Sequence, residues 1–139
     1  MKKHISTAIV AFTLFASCTQ KVDESNIPKE IIETFNAKFK GSTVESWDKE
    51  KDGGYEAEFD LNGVETSATF SAEGKLLETE QEIEQSVLPS SVSEYVKTNY
   101  AGKSIDEVAK ITTGEGVVKY EVEIEKVDLI FDDKGNLLK

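Results

Sequence analysis

The sequence predicts an α+β protein made by tandem duplication of one helix-plus-strands unit. The segment "YEAEF" at residues 55–59 returns as "YEVEI" at residues 120–124. Pro28 and Pro89 lie 61 positions apart, and most apolar and glycine positions of the two halves match at that same offset. Within each half the apolar spacing changes from about four residues to two, which indicates a helix followed by strands.

The first element of each copy is predicted to be a helix. Ile31, Phe35 and Phe39 recur every four residues, a proline precedes them, and Gly41 follows the last of them. These are signals for the start and the end of a helix. The second copy repeats the pattern over residues 89–102.

Strands follow the helix in each copy. Tyr55, Ala57 and Phe59 alternate with acidic residues, residues 64–70 alternate in the same way, and the turn "LNG" lies between the two runs. A further extended stretch runs from Lys75 to about Ile83, so each copy has a helix and three or four antiparallel strands.

A unit of about 50 residues buries too little surface to be stable alone. We therefore expect residues 28–85 and residues 89–139 to form a single domain, 28–139, with one shared sheet and one shared core. The two helices should cover one face of the sheet and leave the other open to water.

The N-terminus predicts a secretory signal peptide over residues 1–17, because two lysines precede a twelve-residue apolar run, which is too short to span a membrane. Cys18, the only cysteine, follows directly, as in bacterial lipoproteins, although Phe15 stands where that pattern prefers leucine. We expect Cys18 to carry a lipid that anchors the protein in a membrane of the cell envelope. Residues 18–27 would then form a polar tether.

The residue types that remain after removal of the signal peptide exclude several kinds of active site and metal site. After removal of residues 1–17 the net charge is −13 and no histidine remains, and lipidation of Cys18 removes the only thiol. Nucleophilic triads, Cys/His pairs and Cys/His zinc sites are therefore excluded, and no cofactor is expected. An acidic chain whose basic residues are all lysine also makes nucleic acid a poor partner.

The chain resembles the PepSY-like, beta-lactamase-inhibitor-like periplasmic proteins over residues 27–139. The first copy shows the resemblance in its helix, with "IP" before two spaced phenylalanines and a glycine, and in "VESWDKEKDGGYEAEFD" and "ATFSAEGKLLE". The second copy shows it in "LPSSVSEYVKTNYAG", "VVKYEVEI" and "LIFDDKGNLLK". The resemblance implies a curved antiparallel sheet whose open face grips a partner protein in the inhibitor relatives, and it implies no catalytic residues.

Two-residue periodicity assigns side chains to the open face. If Val44 and Ile105 point to the helices, Trp47 and Val108 point away from them unless a bulge intervenes. The same rule places ten carboxylates, two lysines and one isoleucine on the open side: Glu45, Lys49, Glu56, Glu58, Asp60, Glu65, Asp106, Lys110, Glu121, Glu123, Glu125, Asp128 and Ile130.

Two functions fit such a face. It could bind a basic protein or peptide, with Trp47 as a hydrophobic anchor beside Val108. Alternatively, it could only keep a structural, small-ligand-binding or cation-binding lipoprotein soluble. The candidate partner-binding residues are Trp47, Glu45, Glu56, Glu58, Val108, Glu121 and Glu123.

Catalysis and metal binding are not expected. The pairs Glu56/Glu58 and Glu121/Glu123 have a spacing that glycosidases use, but an open sheet face supplies no dry pocket to separate the pKa values of two carboxyls. The segment "DDKGN" at residues 132–136 lacks the order of a calcium-binding loop and is predicted to be a hairpin turn.

Overall fold

The computed structural model of the chain describes residues 20–139, and the predicted signal peptide and Cys18 lie outside them. Two helices and eight strands follow one another in the order β1, α1, β2 to β5, α2, β6 to β8. A short 3-10 turn precedes each helix. The bounds are β1 Gln20–Lys21, α1 Lys29–Lys38, β2 Val44–Lys49, β3 Tyr55–Leu61, β4 Val64–Phe70, β5 Leu76–Glu82, α2 Ser90–Asn99, β6 Ile105–Thr113, β7 Val118–Ile124 and β8 Val127–Asp132.

The eight strands form one antiparallel sheet in which every strand pairs with its neighbours in the sequence. Both helices pack on the same face of this sheet, since Ile31 and Phe35 of α1 and Val92 and Val96 of α2 are buried against it. The predicted α+β class with two helices on one face is confirmed. In the described part of the chain, no helix is both long enough and apolar enough to span a membrane.

The duplication extends to individual hydrogen bonds. The amide of Val22 donates to the carbonyl of Trp47 at 2.9 Å, and 61 residues later the amide of Ile83 donates to the carbonyl of Val108 at 3.0 Å. Thus β1 corresponds to β5, and each unit consists of a strand, a 3-10 turn, a helix and three strands.

This arrangement corrects two expectations about boundaries. Residues 20–27, predicted to be a tether, belong to the fold, because β1 pairs with β2 and Ile27 is buried in the core. The first strand of the second unit is β5, which the sequence analysis had assigned to the first copy.

The expectation of one shared core was wrong. Each unit has its own apolar cluster, the first built around Phe35, Phe59 and Phe70 and the second around Ile124 and Phe131. Polar side chains lie between the clusters on the helix-covered face. There the Gln81 side-chain amide donates to the Thr66 hydroxyl at 3.2 Å. The units are therefore joined by the hydrogen bonds between β4 and β5 across a polar seam.

Each helix is fixed to its sheet by a hairpin turn that contains a glycine. Gly74 has φ +87°, and a side chain added there would lie 2.9 Å from Glu30 Cβ on α1. The equivalent Gly135 has φ +85° and lies equally tightly against Ser91 on α2. Only glycine combines this backbone conformation with such a close approach.

Candidate functional site

Bulges in β2 and β6 reverse part of the predicted side-chain assignment. In β2, Val44 pairs with Phe59 but Ser46 pairs with Glu58, so Glu45 is an extra residue. Asp106 is the equivalent extra residue in β6. An extra residue moves every later side chain of its strand to the opposite face.

The bulges place Trp47 and Val108 in the core. Trp47 is 3% exposed and packs edge-on to Phe35 at a ring distance of 5.9 Å, and Val108 belongs to the second cluster. Their predicted position on the open face was wrong, and so was the idea of Trp47 as a surface anchor. Lys49 and Lys110 move to the helix-covered face for the same reason, because they pair with tyrosines there.

The open face of the sheet is more acidic than predicted. Glu56, Glu58, Glu121 and Glu123 lie on it as expected, and the exposed Glu45 lies at its margin, in the β2 bulge. We call this surface the carboxylate face and define it by the acidic side chains that the strand register places there. These are Asp48, Glu56, Glu58, Asp60, Glu65, Glu78, Glu80, Glu82, Glu107, Glu121, Glu123, Asp128 and Asp132.

Positive charge is nearly absent from the carboxylate face. Within residues 20–139 the strand register places two lysines there, Lys21 beside Asp48 and Lys119 opposite Asp132. The three ion pairs described in this part of the chain involve lysines 29, 75 and 103, and none of them includes a member of the face. The carboxylates therefore repel one another with little internal compensation.

The centre of the carboxylate face is buried although neither helix covers it. Ser67, Glu80 and Ile111 lie side by side in one row across β4, β5 and β6, and they are 5%, 4% and 6% exposed. Ala109 in the adjacent row is 2% exposed. Burial without an overlying layer indicates that the sheet curves toward this face, so that long side chains of the flanking strands crowd over the centre.

This burial changes the protonation of the face. Loss of hydration, followed by the charges of Glu121, Glu78 and other neighbours, raises the pKa of Glu80 to about 9. Burial and nearby carboxylates also raise the pKa values of Glu56, Glu107 and Glu121 to about 7. Glu80 is therefore protonated at neutral pH, and three of its neighbours change charge near pH 7.

Hydrogen bonds compensate only part of the face. The Ser46 hydroxyl donates to Glu58 Oε2 at 2.6 Å. By contrast, Glu121 Oε2 is buried and has no hydrogen-bond partner, although the charge of Lys139 acts on this carboxyl. Residues 20–139 contain no group of three or more acidic, histidine or cysteine side chains placed to hold a metal ion.

A cleft of about 580 Å³ opens at one end of the carboxylate face, where the first residues of β4 and β6 meet the segment after β5. Its walls combine the apolar Val64, Ile83 and Val87 with carboxylates such as Glu82 and Glu107. Such a surface suits a ligand that is both cationic and partly apolar.

Comparison with known proteins agrees with this geometry. The family model described as "Putative beta-lactamase-inhibitor-like, PepSY-like" matches the chain twice, over residues 15–77 and 53–139. Among curated proteins, no sequence matches this chain.

Solved structures from several Bacteroides species share the fold. A "putative periplasmic" protein from Bacteroides eggerthii is 16% identical with a TM-score of 0.73, and the match covers 81% of this chain and 86% of that one. A DUF2874 family protein from Bacteroides ovatus is 20% identical with a TM-score of 0.70, covering 81% and 84%. A BLIP-like protein from Bacteroides fragilis is 24% identical with a TM-score of 0.67, covering 81% and 83%.

Proposed function

The chain belongs to the beta-lactamase-inhibitor-like, PepSY-like family, and we propose that it is a non-enzymatic binding module of the cell envelope that holds a basic protein or peptide on its carboxylate face. The family name points to inhibition rather than catalysis, and a structural neighbour described as periplasmic supports an envelope location. Capture or inhibition of a protein is the role that we infer for this chain.

The observation that most supports this proposal is the dense and poorly compensated negative charge on the open face of the sheet. Thirteen carboxylates and two lysines lie on the side of the sheet that neither helix covers. A face that served only to keep the protein soluble would hold its carboxylates hydrated and apart. Here five of them have raised pKa values because they are shielded from water and close together. A cationic partner would relieve this repulsion.

The same geometry argues against catalysis. Glu56/Glu58 and Glu121/Glu123 lie on a face that neither helix covers, and all four side chains are partly exposed to solvent, so neither pair lies in a dry pocket. An acid and base pair requires environments that move two pKa values apart. We therefore assign the raised pKa values to binding.

A pull-down from cell-envelope extract tests the proposal. The bait is the full chain, compared with Glu56→Lys/Glu121→Lys, which reverses two charges on the carboxylate face. The matched control, Glu73→Lys/Glu94→Lys, makes the same change of net charge in the β4–β5 turn and on α2, at exposed positions. Mass spectrometry identifies the retained proteins.

We expect the wild type and the control to retain the same basic proteins and the face variant to lose them. If the face variant and the control retain the same proteins, the carboxylate face is only a solubilising surface and the proposal is wrong.

Membrane attachment needs a separate test, because Cys18 lies outside the described residues. We propose that the mature chain begins at a lipidated Cys18. The intact mass of protein extracted from membranes should equal residues 18–139 plus acyl chains. A mass without acyl groups would contradict the anchor but leave the binding role unaffected.

A further inference from the structure

The centre of the carboxylate face holds a buried acid with no partner. Glu80 is 4% exposed, and none of the hydrogen bonds described within residues 20–139 includes its carboxyl group. Ser67 and Ile111 are its cross-strand neighbours on this face. Buried carboxyls in folded proteins are almost always hydrogen-bonded or ion-paired. The Glu80 oxygens are not among the fully enclosed unpaired atoms of residues 20–139, so a donor from a bound partner can reach them.

The surroundings of Glu80 select a cation. The charged groups that act on it most strongly are Glu121, Glu78, Glu107 and Glu56, which belong to β7, β5, β6 and β3. Lys119 lies in the same row beyond Ile111, and the described ion pairs do not include it. An anion would be repelled from every side, whereas a cation would be attracted by each neighbour.

The shape of the centre favours a cation with an aliphatic stem. Ala109 and Ile111 are buried on this face and form an apolar floor beside Glu80. Lysine and arginine side chains commonly lay their methylene groups on apolar surface while the charged end meets a partner. A bare metal ion would not use this floor, and it requires a converging set of oxygen ligands.

We propose that one lysine or arginine side chain of the bound protein enters the centre of the carboxylate face, lays its stem on Ala109 and Ile111, and pairs with Glu80. This inference rests on the proposed function and names the anchor that the partner must supply. Glu80 then gives its proton to solvent as the cation arrives, and the surrounding carboxylates add attraction without direct contact.

The test uses fluorescein-labelled octalysine as the probe and the full chain in a nonionic detergent. Fluorescence anisotropy measures the Kd for the wild type, Glu80→Gln and Glu78→Gln. The last is a matched control, because Glu78 lies two residues away on the same strand and face and undergoes the same chemical substitution. We expect Glu80→Gln to weaken binding at least about tenfold and Glu78→Gln by less than about threefold. Fully acetylated octalysine should not bind.

A second measurement observes Glu80 directly. In a uniformly ¹³C-labelled chain at pH 7, saturating octalysine should move the Glu80 Cδ resonance to the position of an ionised carboxylate.

The inference is overturned by any of three results: equal weakening by the two variants, an unmoved Glu80 resonance in the saturated complex, or no binding of octalysine to the wild type. Equal weakening would still leave a face that attracts cations, so the pull-down decides the proposed function independently.

Discussion

Replacing Glu80 by glutamine should stabilise the protein, and the gain should grow with pH. Burial raises the pKa of Glu80 from 4.5 to about 9. The folded chain therefore keeps a proton that the unfolded chain has lost throughout this interval. The stabilisation that this proton gives is fully present below pH 4.5 and is lost as the pH rises toward 9.

The size of the effect follows from the same two values. Each unit of pKa difference corresponds to about 1.4 kcal/mol. Ionisation of Glu80 in the unfolded chain should therefore lower the wild-type free energy of unfolding by about 3 kcal/mol at pH 7 and by about 5 kcal/mol at pH 9, relative to pH 4.5. Glutamine has nearly the same shape and does not ionise. Its unpaired amide adds a cost that is constant with pH, so the change with pH reports Glu80 alone.

Urea denaturation followed by the fluorescence of the buried Trp47 measures this difference at pH 4.5, 7 and 9. The half-buried Glu78→Gln variant is the control and should change the free energy of unfolding by less than about 1 kcal/mol. A difference between wild type and Glu80→Gln that stays constant with pH would refute the argument that Glu80 is desolvated.

Three further predictions follow from the packing and the charge. Trp47→Ala should lower the free energy of unfolding by about 3–5 kcal/mol, because the indole fills the first cluster. Urea denaturation followed by circular dichroism measures this loss, and a loss below about 1 kcal/mol would indicate that the Trp47 side chain lies on the surface. Gly74→Ala should lower the free energy of unfolding by at least about 2 kcal/mol in the same assay. Gly41 has a similar φ but open space around it, so Gly41→Ala should lower it by only about 1 kcal/mol. Equal losses would show that the contact between Gly74 and Glu30 is unimportant. Finally, octalysine should bind at least about tenfold more tightly at pH 8 than at pH 6, because three carboxyls with pKa values near 7 ionise between these two pH values. An unchanged Kd would contradict the proposal that the carboxylate face binds cations.

The sequence predicted the parts of the fold where the side-chain period is unbroken. The strands β3 and β7 contain no bulge, so alternation in "YEAEF" and "YEVEI" assigned the Glu56 and Glu121 side chains to the correct face. The strands β2 and β6 each contain one extra residue, and neither Glu45 nor Asp106 has a glycine-like signature that marks a bulge. A usable signal existed, because an apolar residue stands at the equivalent position in both copies, Trp47 and Val108.

The buried centre of the carboxylate face could not be predicted from the sequence for a different reason. The sequence "LLETEQE" of β5 is polar at every position after its two leucines, so it shows no period of two. The structure explains this, since Thr79 and Gln81 lie in the polar seam between the two clusters while Glu78 and Glu80 lie on the carboxylate face. A strand that is polar on both sides gives no indication of which of its side chains is buried.

The polar seam also affects how the two units can evolve. Because each unit packs its own apolar cluster, a substitution within one cluster leaves the contacts of the other cluster in place. Equivalent positions have already diverged, with Asp48 corresponding to Ala109 and Ser46 to Glu107. The second unit thus carries the buried floor of Ala109 and Ile111 where the first unit carries Asp48 and Glu50, so a duplicated fold presents an asymmetric surface.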